Sequence, residues 1–184
     1  MTVVICPGFH PPSLTRAFQT IIWQPTDRLI HPVLVVPPSC PVYSGFHILN
    51  WVRPHLGPVG GTPALIWIGF SAGVVGAMTA AWLWQRSGGR VRSLIALDGW
   101  GVPLWGQFPI HRVSHDFLTH WSSALLGAGQ DSFYADPPVS HLELWRSPHT
   151  VQGQGISSDS GQLSKPMTAA EFIRLQLRLY GELA

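Results

Sequence analysis

The sequence predicts an α/β fold built on a largely parallel sheet. Apolar runs of strand length recur at Thr2–Cys6, Val33–Val36, Ala64–Ile68 and Val91–Leu97, with segments of helical spacing between them. The runs are nearly continuous rather than alternating, which suits strands covered on both faces. The third observation is a junction. Ala64–Ile68 runs into Gly69-Phe70-Ser71-Ala72-Gly73, and Val74–Arg86 then reads as a helix. A strand, a sharp turn of the form G-x-S-x-G and a helix place a serine hydroxyl at the carboxyl edge of a sheet. The glycines leave room where a Cβ would strike a neighbouring element.

Each element has its own signal. Thr2–Cys6 is rich in β-branched residues, as an interior strand would be, and Pro7-Gly8-Phe9-His10 follows as a turn. Ser13 is placed to cap a helix over Leu14–Ile22. In Leu29–Val36, Pro32 confines the ordered strand to Val33–Val36. Val42–Leu56 has partial helical spacing and ends at Pro54, and Gly57–Pro63 is a loop into the Ser71 junction. Val91–Leu97 delivers Asp98 at its end. Ser114 is positioned to cap a helix over His115–Leu126, and Gly127–Pro138 reads as a loop. Val139–Arg146 alternates like a last strand, with His149 just beyond it. Residues 152–166 are rich in Gly and Ser and are expected to form a mobile loop. Thr168 and Glu171 make a capping box for a final helix through Glu182.

Composition narrows the function classes. The 184 residues suit one domain, 1–184. The formal charge is only +2 and the basic residues are scattered, so no nucleic-acid partner is expected. Charged residues make up 11% of the chain and there are nine Trp, which points to an apolar groove or a lipid-facing patch and to peripheral membrane contact. The uncharged stretch Ala64–Trp84 is long enough to cross a bilayer, but the glycines and serine that divide it favour a globular reading. Cys6 and Cys40 form no C-x-x-C pair, and no leader-like segment opens the sequence, so a cytoplasmic protein with free thiols is expected. No cofactor and no metal is expected.

These residues can be assigned chemical roles. Ser71 is the candidate nucleophile. Asp98, at the carboxyl end of the next strand, is the candidate acid, with Asp116 as its rival. The base should follow the final strand and precede the closing helix, in the order Ser…Asp…His. His149 meets that condition, and His115 and His141 are alternatives. The N–H of Ala72 and one from Phe9 or His10 are placed to form an oxyanion hole. Phe70, Trp100, Trp105 and Phe9 are candidate walls of the substrate pocket.

Taken together, the Ser71 junction, the Pro7–His10 loop, Asp98 and His149 resemble the α/β-hydrolase superfamily. The resemblance is to thioesterase- and lipase-like members that carry the acid after the strand next to the nucleophile's, with a shortened start. It implies a three-layer α/β/α sandwich on a sheet of about five strands. It also implies a serine hydrolase that cleaves a small ester or thioester with an apolar group through an acyl-enzyme. The competing reading is a non-catalytic binding or scaffold protein on the same fold.

Overall fold

A computed structural model describes residues 1–27, 31–56, 63–127, 129–157 and 166–183. The strands are β1 (Thr2–Cys6), β2 (Val33–Val35), β3 (Ala64–Phe70), β4 (Arg90–Leu97), β5 (Ile110–Ser114), β6 (Ser132–Ala135), β7 (Gln152–Ile156) and β8 (Met167–Thr168). The helices are α1 (Pro12–Ile22), α2 (Gly45–Val52), α3 (Ala72–Arg86), α4 (Phe117–Ala124), α5 (His141–Arg146) and α6 (Ala169–Leu179). All eight strands form one mixed sheet in the order β2-β1-β3-β4-β5-β6-β7-β8. Strands β1 to β6 are parallel, and β7 and β8 are antiparallel additions.

The apolar strands β1, β3 and β4 lie inside the sheet, as their sequence requires, whereas β2 forms one edge and is only half-buried. Alternate side chains of each strand enter different cores. Val3, Ile5, Ile66, Ile68, Ile95 and Leu97 pack with residues of α1, α5 and α6. Val4, Cys6, Leu65, Trp67, Leu94 and Ala96 pack with residues of α2 and α3. Cys6 and Cys40 are both buried free thiols. Among the described residues no helix is long and apolar enough to cross a membrane.

Several expectations are corrected. The sheet has eight strands rather than about five. The stretch 127–138, read as a loop, contains β6. Val139–Arg146 is not a strand: after Ser140 the chain turns into α5, which buries Leu144 and Trp145. Those two and His141 share one face at i, i+3 and i+4, so the spacing that mimicked alternation is helical. Residues 152–156 of the expected mobile loop pair with β6 as β7, and 158–165 lie outside the described residues. The helix expected over Val42–Leu56 covers Gly45–Val52, followed by a 3-10 turn at Arg53–Leu56. Most of the Gly57–Pro63 loop, and Leu29 and Ile30 of the strand expected at Leu29–Val36, also lie outside the described residues. Asp116, not Ser114, caps α4. Pro11 precedes α1 without a side-chain cap, so Ser13 has no capping role.

Candidate active site

Ser71 occupies the tight turn between β3 and α3 at φ 54° and ψ −125°. That region is costly for a residue with a Cβ, and the surroundings must hold it in place. The Ser71 N–H donates to Leu97 O at 2.9 Å, tying the turn to the end of β4. Close backbone approach does the rest. A Cβ on Gly73 would stand 2.1 Å from Cys6 O, and one on Gly69 would stand 2.8 Å from Val74 Cα. Only glycine lets α3 start so close to the ends of β1 and β3.

The loop after β1 passes against this turn. An ideal Cβ on Gly8 would lie 3.0 Å from both Phe70 O and Ser71 Cβ. The His10 N–H donates back to Gly8 O at 3.1 Å, whereas among the described residues the Phe9 N–H has no hydrogen-bond partner. Ala72 opens α3, so its N–H belongs to the first turn, where no partner exists within the helix. Of the expected oxyanion donors, Ala72 and Phe9 therefore have N–H groups to offer, and the His10 N–H is already engaged. The His10 ring lies against both Phe70 and Trp145, with Nδ1 3.0 Å from Pro11 O.

Strand β4 carries Asp98 to the same edge. The Asp98 N–H donates to Val113 O at 2.9 Å, and its φ of 51° turns the chain sharply after the strand. Its side chain is 1% exposed and serves two imidazoles. Oδ1 accepts the His115 backbone N–H at 2.9 Å. Oδ2 lies 2.8 Å from His141 Nδ1 in an aligned hydrogen bond. His115 Nδ1 is 2.9 Å from that oxygen as well, a contact close in distance but without hydrogen-bond alignment. The second nitrogen of His115, Nε2, is 3.0 Å from Asp116 Oδ2. Burial works to raise the Asp98 carboxyl, but the contacts with His115 and His141 outweigh it and hold the group below its usual value. The contact with Asp98 in turn raises His115, against the opposing effect of burial.

The geometry separates the candidate bases. In the tautomer that carries its proton on Nδ1, His141 donates to Asp98 and keeps Nε2 free to accept a proton. Both ring nitrogens of His115 lie within 3.0 Å of a carboxylate oxygen, in contacts that are not aligned hydrogen bonds. His149 lies in the turn after α5, exposed, and among the described residues it makes no hydrogen bond or ion pair. The reason is the correction at Val139–Arg146. The last parallel strand is β6, and the loop beyond it delivers His141 at the start of α5. Phe70, expected as a pocket wall, is 1% exposed and stacks under the His141 ring at 4.6 Å and 21°. The Val139 N–H also donates to His115 O at 3.0 Å, joining the two histidine-bearing loops.

Ser71, Ala72, Asp98, His115 and His141 line one cleft of about 400 Å³, with Val75, Trp100, Val102 and Thr119 as its other walls. Trp100 is thus at the cleft. Trp105 is not: it packs on Trp82, 4.6 Å between ring centroids, in a separate groove. Phe9 lines a separate cavity of about 540 Å³, with Tyr43 and the Val35–Val42 segment. Asp116 Oδ1 accepts the Thr119 N–H at 2.5 Å and so anchors α4.

A buried acid, an imidazole aligned on it and a hydroxyl on a strained turn, gathered in one cleft, can perform nucleophilic acyl transfer. Two imidazoles on one carboxylate are a further feature that sequence reasoning did not foresee. No protein-family model matches the chain, and no curated protein matches it.

Proposed function

We propose that the protein is a serine hydrolase that cleaves a carboxylic ester or thioester, with Ser71 as nucleophile, His141 as base and Asp98 as the residue that orients His141. The observation that carries the reading is the hydrogen bond from His141 Nδ1 to Asp98 Oδ2 in the cleft that also holds Ser71 at positive φ. We read the whole chain as one domain of the α/β-hydrolase type with helices in layers on both faces of its sheet. The two cores that draw on alternate strand residues support this.

In this mechanism Ser71 Oγ attacks the carbonyl carbon while His141 Nε2 takes its proton. The charge developing on the carbonyl oxygen is met by the N–H groups of Ala72 and Phe9. Asp98 stabilises the imidazolium without taking its proton. The imidazolium then protonates the leaving alkoxide or thiolate. A water deprotonated by His141 attacks the acyl-Ser71 ester, releasing the acid and restoring Ser71.

An apolar substrate is favoured by the surroundings of the cleft. Trp100 is 71% exposed at its wall. Beside it, α4 turns Phe117, Leu118 and Trp121 outward and buries His120 and Ser123. This inverted helix suits an acyl chain or a lipid surface better than a charged substrate. The two free thiols support a reducing compartment such as the cytoplasm.

A fluorophosphonate probe followed by peptide mapping tests the reading. Ser71 should be the labelled residue, and the same preparation should hydrolyse p-nitrophenyl esters. A folded protein with unlabelled Ser71 and no esterase activity would favour the non-catalytic binding reading.

A further inference from the structure

A triad needs one imidazole on its acid, and Asp98 has two. One donor atom each from Asp98, His115 and His141 lie within 4.8 Å of one another. Asp98 Oδ2 is 2.8 Å from His141 Nδ1 and 2.9 Å from His115 Nδ1. Ligands at the corners of a tetrahedral zinc site, each about 2.0–2.1 Å from the metal, stand roughly 3.3 Å apart, so the two short edges at Asp98 would open by about half an ångström to seat the ion. The donors are borderline in softness, two imidazole nitrogens and one carboxylate oxygen, which suits zinc rather than calcium or magnesium.

The surroundings are those of a metal site as well. His115 Nδ1 is buried and has no aligned hydrogen bond, although it lies 2.9 Å from the shared carboxylate oxygen. His115 Nε2 lies 3.0 Å from Asp116 Oδ2. A ligating histidine commonly hands its other ring N–H to a carboxylate, and Asp116 is within reach of His115 for that role. The other oxygen of Asp98 is held by the His115 backbone N–H. The three ligands border the cleft, which leaves a fourth position for water.

We infer that Asp98, His115 and His141 form a three-ligand site for a zinc-class divalent cation. In the bound form both imidazoles ligate through Nδ1 and carry their proton on Nε2. His141 then has no free nitrogen for the Ser71 proton, so occupancy of the site and acyl transfer exclude one another. The site itself does not depend on the hydrolase reading.

The test is zinc titration of the Ser71→Ala protein, followed by calorimetry and by competition with a chromogenic chelator. One equivalent should bind with micromolar or tighter affinity. His115→Ala in the same background should weaken binding about tenfold or more, and His115→Gln should do the same if the alanine variant is less stable. X-ray absorption of the zinc-loaded protein should show nitrogen and oxygen ligands with two imidazoles and no sulfur. Absence of stoichiometric binding, affinity unchanged in both His115 variants, or sulfur in the coordination shell would overturn the inference. Because Ser71→Ala cannot form an acyl-enzyme, the zinc result stands whether or not Ser71 proves to be a nucleophile in the wild-type protein.

Discussion

The two sides of the cleft are built by different means. On the Ser71 side, β1, β3 and β4 are five to eight residues long and almost wholly buried. The turn is shaped by backbone packed on backbone at Gly69 and Gly73. On the histidine side, β5 to β8 are two to five residues long and each carries at least one polar residue. Strand β5 buries His111, Arg112 and Ser114. His111 is satisfied by Tyr180 Oη at 2.8 Å and Asp131 O at 3.1 Å, and Arg112 donates to Gly127 O. Ser71 is therefore placed by chain shape, and the imidazoles are placed by side-chain contacts between distant segments. Local sequence records the first and largely hides the second.

The largest effect should come from backbone approach, and it asks whether the two sides are one cooperative unit. A Cβ on Gly73 would meet Cys6 O at 2.1 Å, and one on Gly153 would meet Tyr134 O at 2.1 Å. Gly73→Ala and Gly153→Ala should each lower stability by about 2–4 kcal/mol in a single denaturant transition, since neither carbonyl can move without displacing its strand. A second, separate transition in Gly153→Ala would mean that the histidine side unfolds on its own.

A smaller effect sharpens the contrast at the base. Ser140 Oγ accepts the Glu143 N–H at 3.3 Å and starts α5 at His141. Ser140→Ala should cost about 1 kcal/mol of stability. It should also slow probe labelling of Ser71, because His141 loses the helix start that fixes it. Loss of stability with an unchanged labelling rate would show that the Phe70 ring and Asp98 suffice to hold the imidazole.

A further effect concerns pH. Burial, with the nearby Arg112 charge, lowers His120 to about 4. The folded protein thus keeps His120 neutral while the unfolded chain takes up a proton near 6.5. Between those values the unfolded state binds more protons, so stability should fall as pH drops from about 6.5 to about 4 and level off below. His120→Gln should flatten that limb in urea titrations at stepped pH. An unchanged limb would assign the acid sensitivity to another group.

What was legible follows the same division. The parallel middle strands, the Ser71 turn and Asp98 at the end of β4 could be read from apolar runs and glycine spacing. Asp98 was recognisable because parallel strands end on one edge. The strand count was not legible. Strand β6 is only Ser132–Ala135, and β7 is Gln-Gly-Gln-Gly-Ile, whose Gly153 is required by contact with Tyr134 rather than by any strand preference. The expectation of His149 as base depends on Val139–Arg146 being the last strand, and that segment holds α5. A base expected just past the last parallel strand would fall at His141 once β6 is recognised. Ser140-x-x-Glu143 is a helix-start pattern and was the available signal. Phe70 looked like a pocket wall because an aromatic beside a nucleophile often is one. Its ring instead supports His141, and nothing local to residue 70 records that.

The most direct test of the proposed triad compares two histidines eight residues apart. The rate of Ser71 labelling by a fluorophosphonate should be measured in His141→Ala and His149→Ala, with Tm recorded for each. His141→Ala should slow labelling by roughly a thousandfold or more, as expected when a nucleophile loses its base, while His149→Ala labels at the wild-type rate. Wild-type labelling in a folded His141→Ala protein, with labelling lost in His149→Ala, would contradict the assignment of the base.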